Sequence, residues 1–218
     1  MVQVKTYQLP PTSLIPNSPR PILHYPGFFP VSSTAAAQAY DILSENGWQA
    51  QWIYRYGSTQ ASHYHSNAHE CMVVLSGSAT IQFGAADQED RGDGSTGATN
   101  GGHEEDGVKV QAHVGDVFVI PAGVAHKTFD TSPSLPFALL TPRNGPDVSA
   151  HDQRQAIADT PLSGFTMMGA YPKEGGAWDF CTGGGHVGDY EKVWAVVKPE
   201  RDPVLGQAEE GLVGRWSE

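Results

Sequence analysis

The sequence is short of cysteine, of basic residues and of long apolar runs, and each shortage excludes a class of protein. Two cysteines, Cys71 and Cys181, among 218 residues cannot build a scaffold of several disulfide bridges, so we interpret both as free thiols. Lysine and arginine together number 13 against 24 acidic residues, giving a formal net charge of −11 that opposes binding to a phosphate backbone. We therefore expect no nucleic acid among the partners of this chain.

The scarcity of long apolar runs indicates in which cellular compartment the protein resides. No stretch reaches the roughly 18 consecutive apolar residues of a membrane-spanning helix, so we expect no membrane partner. The first residues, MVQVKTYQLPPTSLIP, lack the continuous apolar segment of a secretory signal peptide. The sequence therefore predicts a cytoplasmic protein.

Glycine and proline, in contrast, are abundant. The chain has 25 glycines and 16 prolines, with 39% hydrophobic and only 17% charged residues, a composition that favours short strands and turns over long helices. Short β-branched segments separated by Gly, Pro or Ser follow one another at regular spacing, which predicts an all-β sandwich or barrel. The predicted strands are 48–56, 71–76, 78–83, 108–113, 116–120, 125–130 and 136–141.

The amino-terminal segment has a different pattern. Residues 1–30 hold seven of the 16 prolines, and because proline lacks an N–H, we interpret them as an extended arm rather than a helix or a central strand. A helix is predicted over 34–45, with Ser33 or Thr34 as its cap and Gly47 at its end.

Two other regions lie outside the main strand pattern. Residues 84–107 contain seven acids, one base and almost no apolar residue, which predicts a mobile insertion between two strands, with His103 in a solvated loop. In the carboxy-terminal part we predict a short helix at 150–158 and strand-like pieces at 166–171 and 192–197, joined by long loops.

Histidines after the first predicted strand indicate metal chemistry. His63 and His65 are two residues apart, so on a strand both imidazoles project from the same face and can bind one divalent metal. Strict alternation adds His69 to this face, whereas the turn-like residues 66–68 can shift the parity and add Glu70 instead. Periodicity alone leaves the choice between His69 and Glu70 open.

A second segment, GDVFVIPAGVAHKTFD at 115–130, supplies another histidine. It predicts a hydrophobic strand, a Pro-x-Gly turn and a new strand that carries His126. Three histidines and a carboxylate from two hairpins can surround one ion and leave two cis positions of an octahedral metal open, which permits chemistry there.

Together, these segments resemble the two motifs of the cupin family. The first motif, G-x5-H-x-H-x4-E-x6-G, is matched at every defined position between Gly57 and Gly77. The second, G-x5-P-x-G-x2-H-x3-N, is matched from Gly115 onwards except at its last position, where Asp130 replaces an Asn that is usually structural. The stretches HYHSNAHE, GDVFVIPAGVAHK, MMGAYPKEGGAWDF and DPVLG are also similar to the YjlB-like branch of cupins.

The resemblance implies a fold and a metal site. It implies an antiparallel jelly-roll β-barrel with one divalent transition metal inside its mouth: Fe, Mn, Ni, Cu or Zn. It assigns His63, His65, Glu70 and His126 as the ligands, which resolves the open choice in favour of Glu70.

The resemblance also implies one cupin domain over residues 1–218. In this interpretation the arm and helix occupy 1–47, the barrel 48–142 and an extension packed on the barrel 143–218. We expect a metal-dependent enzyme that acts on a small organic molecule, most simply a dioxygenase or oxidase. The alternatives are redox-neutral Lewis-acid chemistry (isomerase, decarboxylase or hydrolase) and a non-catalytic binding protein. Because cupins commonly pair through sheet edges, we expect a homodimer.

The roles of several other residues stay open or structural. His69 is interpreted as an exposed or structural residue rather than a partner of the site, and Arg55 as a solvated or ion-paired residue rather than a substrate anchor. Beyond the metal ligands, no catalytic residue can be identified from the sequence. Strict alternation places the aromatic residues of the first strand on one face, where they suit pocket lining and core packing equally well; they are Trp48, Trp52, Tyr54 and Tyr56. The remaining histidines are interpreted as structural; they are His24, His113, His151 and His186.

Overall fold

The computed structural model describes residues 2–32, 34–87, 107–141 and 150–216. The described strands are β1 (Lys5–Leu9), β2 (Ser18–Tyr25), β3 (Trp48–Arg55), β4 (Glu70–Ser76), β5 (Ser78–Phe83), β6 (Val108–His113), β7 (Val117–Ile120), β8 (His126–Ser132), β9 (Ala138–Leu139) and β10 (Thr166–Pro172). The described helices are α1 (Ala35–Glu45), α2 (Ala150–Ala158), α3 (Tyr190–Trp194) and α4 (Leu212–Arg215). Apart from 84–87 and Gly107, the predicted insertion lies outside the described residues, as does His103.

The strands form two antiparallel sheets. One has seven strands in the order β1-β2-β7-β4-β10-β3-β9, and the other has three in the order β6-β5-β8. The all-β prediction is confirmed. The described strands form two separate hydrogen-bonded sheets rather than one closed cylinder.

Hydrophobic cores lie on both faces of the seven-stranded sheet. The inner core fills the space between the two sheets, where Met72 of β4 and Phe83 of β5 are buried. The outer core lies on the other face, where Val73 of β4 packs with Leu43 of α1 and with Trp216, next to α4. Because both faces of β4 are buried, the strand is apolar at nearly every position rather than at alternate ones.

The proline-rich arm is a part of this sheet, so its interpretation as a non-central segment is wrong. β2 lies between β1 and β7. The prolines are tolerated because Pro19 and Pro21 come before the part of β2 that pairs with β7, which begins at Leu23. In addition, the pairing of β1 with β2 is irregular between Tyr7 and Leu9, close to those prolines.

The aromatic face predicted for the first strand is divided between the two cores. The register of β3 against β10 shifts at Gln51, which is therefore an extra residue in β3. Before this bulge Trp48 belongs to the outer core, and after it Trp52 and Tyr56 belong to the inner core. The single Trp/Tyr face expected from strict alternation is thus wrong, because the bulge reverses the parity.

The carboxy-terminal segment both completes the sheet and covers it. β10 lies between β4 and β3, so the sheet extends beyond the range 48–142 predicted for the barrel. The predicted strand at 192–197 is wrong, because residues 190–194 form the short helix α3. The Trp194 indole anchors that helix by donating to the carbonyls of Pro16 and Asn17, a tertiary contact that outweighs the strand preference of residues 192–197.

The helices follow the sequence predictions more closely. α1 and α2 lie at the predicted positions. Thr34 precedes α1 but makes no side-chain cap hydrogen bond, and Ser33 lies outside the described residues. Among the helices that the structure describes, none has the length and apolar content needed to cross a bilayer.

Gly169 on β10 provides a test of the inner core. A Cβ atom added at Gly169 would lie 1.9 Å from the ring of Trp52, which crosses β10 at this point. We therefore expect Gly169→Ala to lower the free energy of unfolding by about 1–3 kcal/mol through overpacking. At Gly57 the nearest atom would lie 3.5 Å from an added Cβ, so Gly57→Ala is the matched control and is expected to be neutral or slightly stabilising. Urea unfolding of both variants measures the difference, and equal midpoints would contradict this packing.

Candidate metal centre

The backbone brings His63, His65 and His126 together. His63 lies in an extended segment before β4 and pairs with His126 at the start of β8, through hydrogen bonds of 3.1 and 2.8 Å between their N–H and C=O groups. One ring nitrogen from each of the three histidines lies within 4.8 Å of the others. All three side chains are buried. The prediction that these histidines form one cluster is confirmed.

Each of the three rings is held in one tautomer. The Nδ1 atom of His63 lies 3.1 Å from the carbonyl of Ala61, and that of His126 lies 3.2 Å from the carbonyl of Val124. The Nδ1 atom of His65 contacts the carbonyl of Asp179. Because a carbonyl only accepts, every Nδ1 must carry the proton, and every Nε2 is left with its lone pair free. This is the arrangement found in metal-binding histidines.

Glu70, the first residue of β4, faces the same cluster. Its Oε1 accepts a hydrogen bond of 2.6 Å from the hydroxyl of Tyr171, and its Oε2 lies 3.1 Å from Nε2 of His126. Oε1 also lies 3.4 Å from Nε2 of His65. The carboxylate is only 2% exposed, and Oε2 has no hydrogen-bond donor.

These contacts leave a place for a cation. A carboxylate oxygen and an imidazole lone pair are both acceptors, so at 3.1 Å they repel one another unless a positive charge lies between them. Burial raises the pKa of Glu70, but the neighbouring imidazoles outweigh it and hold that pKa well below its usual range. Burial lowers the pKa of His65, but the effect of the Glu70 carboxylate is larger and raises that pKa. A proton therefore competes with a metal for the position between His65 and Glu70. The donor set of imidazole nitrogens and carboxylate oxygen fits a divalent transition metal.

His69 lies outside this cluster, although strict alternation would include it. The turn at 66–68 shifts the parity, and His69 points into the outer core, where its ring packs 4.9 Å from the ring of Trp216. Its Nδ1 accepts a hydrogen bond of 2.9 Å from the backbone N–H of Ala122. Burial lowers the pKa of His69 to about 3, so the ring is neutral and structural. Glu70 is therefore the residue that the geometry places beside the histidines.

A cavity of about 160 Å³ opens in front of the cluster. Apart from the three histidines and Glu70, Gln60 contributes to its wall, and the rest of the described lining is aromatic. The aromatic lining consists of Trp52, Tyr54, Tyr56, Phe137, Tyr171, Trp178 and Phe180. Lysine and arginine are missing from the described lining. Burial raises the pKa of both Tyr56 and Tyr171, so their hydroxyls keep their protons and Tyr171 acts as a hydrogen-bond donor.

The sequence reasoning identified part of this lining and missed the rest. Trp52, Tyr54 and Tyr56 line the cavity, whereas Trp48 belongs to the outer core. Tyr171 lies in a predicted strand, but its face could not be known without the register of β10. Trp178 and Phe180 come from a loop far along the chain, where no strand or helix pattern predicts which side chains face the cavity.

The other candidate residues have structural contacts elsewhere. Arg55 donates to the carbonyl of Pro136 at 2.8 Å and to the Ser163 hydroxyl at 3.0 Å, so it does not reach the cavity. His24 lies 3.3 Å from Asp116, and His186 contacts the hydroxyl of Tyr64 at 2.8 Å. His113 is an exposed residue of β6, and the side chain of His151 lies outside the described residues. Cys71 is buried and Cys181 half-buried, and both are free thiols, as predicted.

Comparisons with known proteins give one sequence relative and a set of solved structures. The chain is 27% identical over 213 residues to an uncharacterized protein, YjlB, of Bacillus subtilis (strain 168), covering 95% of this chain and 93% of that protein. Among solved structures, the polyketide cyclase RemF from Streptomyces resistomycificus has a TM-score of 0.29 and 12% identity, covering 83% of this chain and 80% of that one. An 11S globulin from Wrightia tinctoria has a TM-score of 0.28 and 10% identity over 74% of this chain, which spans only 22% of the globulin. These structural likenesses concern the fold alone.

A family comparison covers the site itself. The family described as Cupin matches residues 18–163, a range that contains both histidine segments, Glu70 and most of the two sheets. The chain therefore belongs to the cupin family.

Proposed function

We propose that the protein is a metal-dependent cupin enzyme that acts on a small organic molecule. In this proposal one divalent transition metal per chain is held by His63, His65, Glu70 and His126. The observation that carries it is the cluster of three buried imidazoles, with nitrogens within 4.8 Å of one another, beside the buried carboxylate of Glu70, whose Oε2 has no hydrogen-bond donor. An iron, manganese, nickel, copper or zinc ion suits these donors.

The cavity supports a substrate with a flat apolar body. An engineered apolar cavity of about 150 Å³ binds benzene, so the 160 Å³ in front of the histidines is large enough for a single ring. Tyr54 and Phe137 stack 5.1 Å apart on one part of the wall, and Trp178 lies parallel to Tyr171 on another. Such walls orient a planar molecule by stacking. Tyr171 holds the Glu70 carboxylate in place through its hydroxyl.

Two reaction types suit such a site. A bound metal with open positions would supply a centre where a chelating substrate and dioxygen meet, or a Lewis acid that polarises a substrate oxygen. We place dioxygenase or oxidase chemistry first and redox-neutral chemistry second. The residues of this chain bind the ion, hold Glu70 in its ionised form and seat the substrate against the aromatic wall.

An oxygen electrode separates these reactions. The protein, loaded in turn with Fe(II), Mn(II) and Zn(II), is tested against a panel of small aromatic and aliphatic compounds. Each compound carries oxygen atoms on two neighbouring carbons, so that it can chelate a metal. Oxygen uptake that is lost in His65→Ala but kept in His113→Ala, which changes an exposed histidine, supports the oxidative reaction. Product formation without oxygen uptake supports the Lewis-acid alternative. Ligand binding without turnover by any loaded form would contradict an enzyme and support a binding protein.

We also propose that the protein is a homodimer in the cytoplasm. The edges of the large sheet, β1 and β9, are free of further strands among the described residues, which supports pairing between copies. A light-scattering mass near twice 23.4 kDa at micromolar concentration is expected, and a mass of 23.4 kDa would rule the dimer out.

A further inference from the structure

Residues 178–181, which we name the capping segment, lie beyond the residues that the cupin family matches and yet contact the histidine cluster. Their backbone runs beside the segment that carries the first two histidines. The N–H of Tyr64 donates to the carbonyl of Cys181 at 2.9 Å, and the N–H of Cys181 donates to the carbonyl of Tyr64 at 3.0 Å. One residue further on, Nδ1 of His65 donates to the carbonyl of Asp179. The tautomer of His65 therefore depends on the position of this segment.

The carboxylate of Asp179 attaches the capping segment to the turn that follows His65. Its Oδ1 accepts the backbone N–H of Ser66 at 2.7 Å, and its Oδ2 accepts the hydroxyl of Ser66 at 2.5 Å. The side-chain amide of Asn67 and the thiol of Cys181 also donate to Oδ2, each at 3.2 Å. Hydrogen bonds to an ionised acceptor are stronger than neutral ones, so this is a firm attachment for a loop.

The residues on either side of Asp179 place aromatic rings on the cluster. Phe180 stacks on His63 with the ring centroids 4.2 Å apart, and Trp178 lies 5.5 Å from His65. Both rings line the cavity, although Phe180 is 56% exposed and Trp178 37% exposed. The carboxylate of Asp179 holds the backbone beneath these rings together with the two Tyr64–Cys181 hydrogen bonds, and the Trp178 indole also donates to the side-chain oxygen of Gln51 at 2.7 Å.

We propose that Asp179 is a positioning residue for the metal centre. Its carboxylate holds the capping segment against Ser66, so that the carbonyl of Asp179 fixes the His65 ring with Nε2 towards the metal. The same attachment helps to place Trp178 and Phe180 over the cavity. This inference rests on the proposed metal site and adds to it a residue from outside both histidine motifs. Loss of an outer partner of a metal-binding histidine typically weakens metal affinity by about 10–100-fold.

A titration with Co(II), followed by visible absorption, tests the positioning role without any substrate. Absorption bands of bound Co(II) report the affinity and the geometry of its ligands. We expect Asp179→Ala and Asp179→Asn to weaken Co(II) binding by about 10–100-fold and to change the band pattern. In the Asn variant the amide nitrogen is a donor and cannot accept the hydroxyl and amide protons that Oδ2 accepts now. Asp41→Asn, which removes an exposed carboxylate paired with Arg154, is the control and is expected to leave the titration unchanged.

The outcomes separate this inference from the metal site itself. If the wild-type protein binds no Co(II), the proposed metal site fails. If the wild type binds Co(II) and the Asp179 variants bind it within twofold and with the same bands, the positioning role is overturned and the metal site stands. If the Asp179 variants do not fold, Ser66→Ala decides, since it removes only the hydroxyl donor. A severalfold weaker binding with altered bands supports the role, and an unchanged titration overturns it.

Discussion

His126→Ala is expected to remove the metal from the protein. The remaining imidazoles cannot replace the lost one, because the rings of His63 and His65 are each held by a backbone carbonyl. Loss of an outer partner costs about 10–100-fold in metal affinity, so loss of a ligand should exceed that range. The metal content after purification should fall from near one per chain to near zero.

The same variant should lose the stabilisation that metal gives. A metal at a thousand times its dissociation constant stabilises the native state by about 4 kcal/mol, and His126→Ala should show none of this gain. His113→Ala is the control, because His113 is exposed on β6 and should leave both the metal content and the gain intact. An affinity for metal within tenfold of wild type in folded His126→Ala would contradict the assignment.

Glu70→Gln is expected to make the metal-free protein more stable and the metal-loaded protein less stable than the wild type. In the metal-free protein, the buried Oε2 of Glu70 faces the lone pair of His126 at 3.1 Å with no donor between them. An amide nitrogen at this place can donate to that lone pair, while the amide oxygen still accepts from Tyr171. An unsatisfied buried polar group costs about 1–3 kcal/mol, so the metal-free variant should be more stable than the metal-free wild type by about that amount.

With metal present, the wild type should be more stable than Glu70→Gln. The amide lacks the negative charge that a divalent cation favours, so the affinity for metal should fall by more than about tenfold. Thermal unfolding with a chelator and with excess metal measures both effects in one experiment. Lower stability of the variant under both conditions would mean that Glu70 stabilises the fold without a role in holding a cation.

Local sequence patterns were sufficient for the histidine cluster. His63 and His65 converge because they are two residues apart in an extended segment, and His126 joins them because a Pro-x-Gly turn brings the chain back. Periodicity could not choose between His69 and Glu70, because the choice depends on how the turn at 66–68 shifts the parity.

The parts that sequence reasoning missed depend on long-range pairing. The bulge at Gln51, which divides the aromatic residues of β3, appears only when β3 is placed against β10. The arm joins the sheet because its prolines lie beside the part of β2 that does not pair with β7. The capping segment contacts His65 across more than a hundred residues of chain. None of these pairings leaves a local pattern.

The most direct test of the proposed site is the metal content of the wild-type protein, purified without an affinity-tag metal, together with the position of that metal in a crystal. We predict close to one divalent transition metal per chain, with an anomalous peak at about 2.0–2.2 Å from Nε2 of His63, His65 and His126. No metal even after reconstitution, or a peak away from these three nitrogens, would contradict the account.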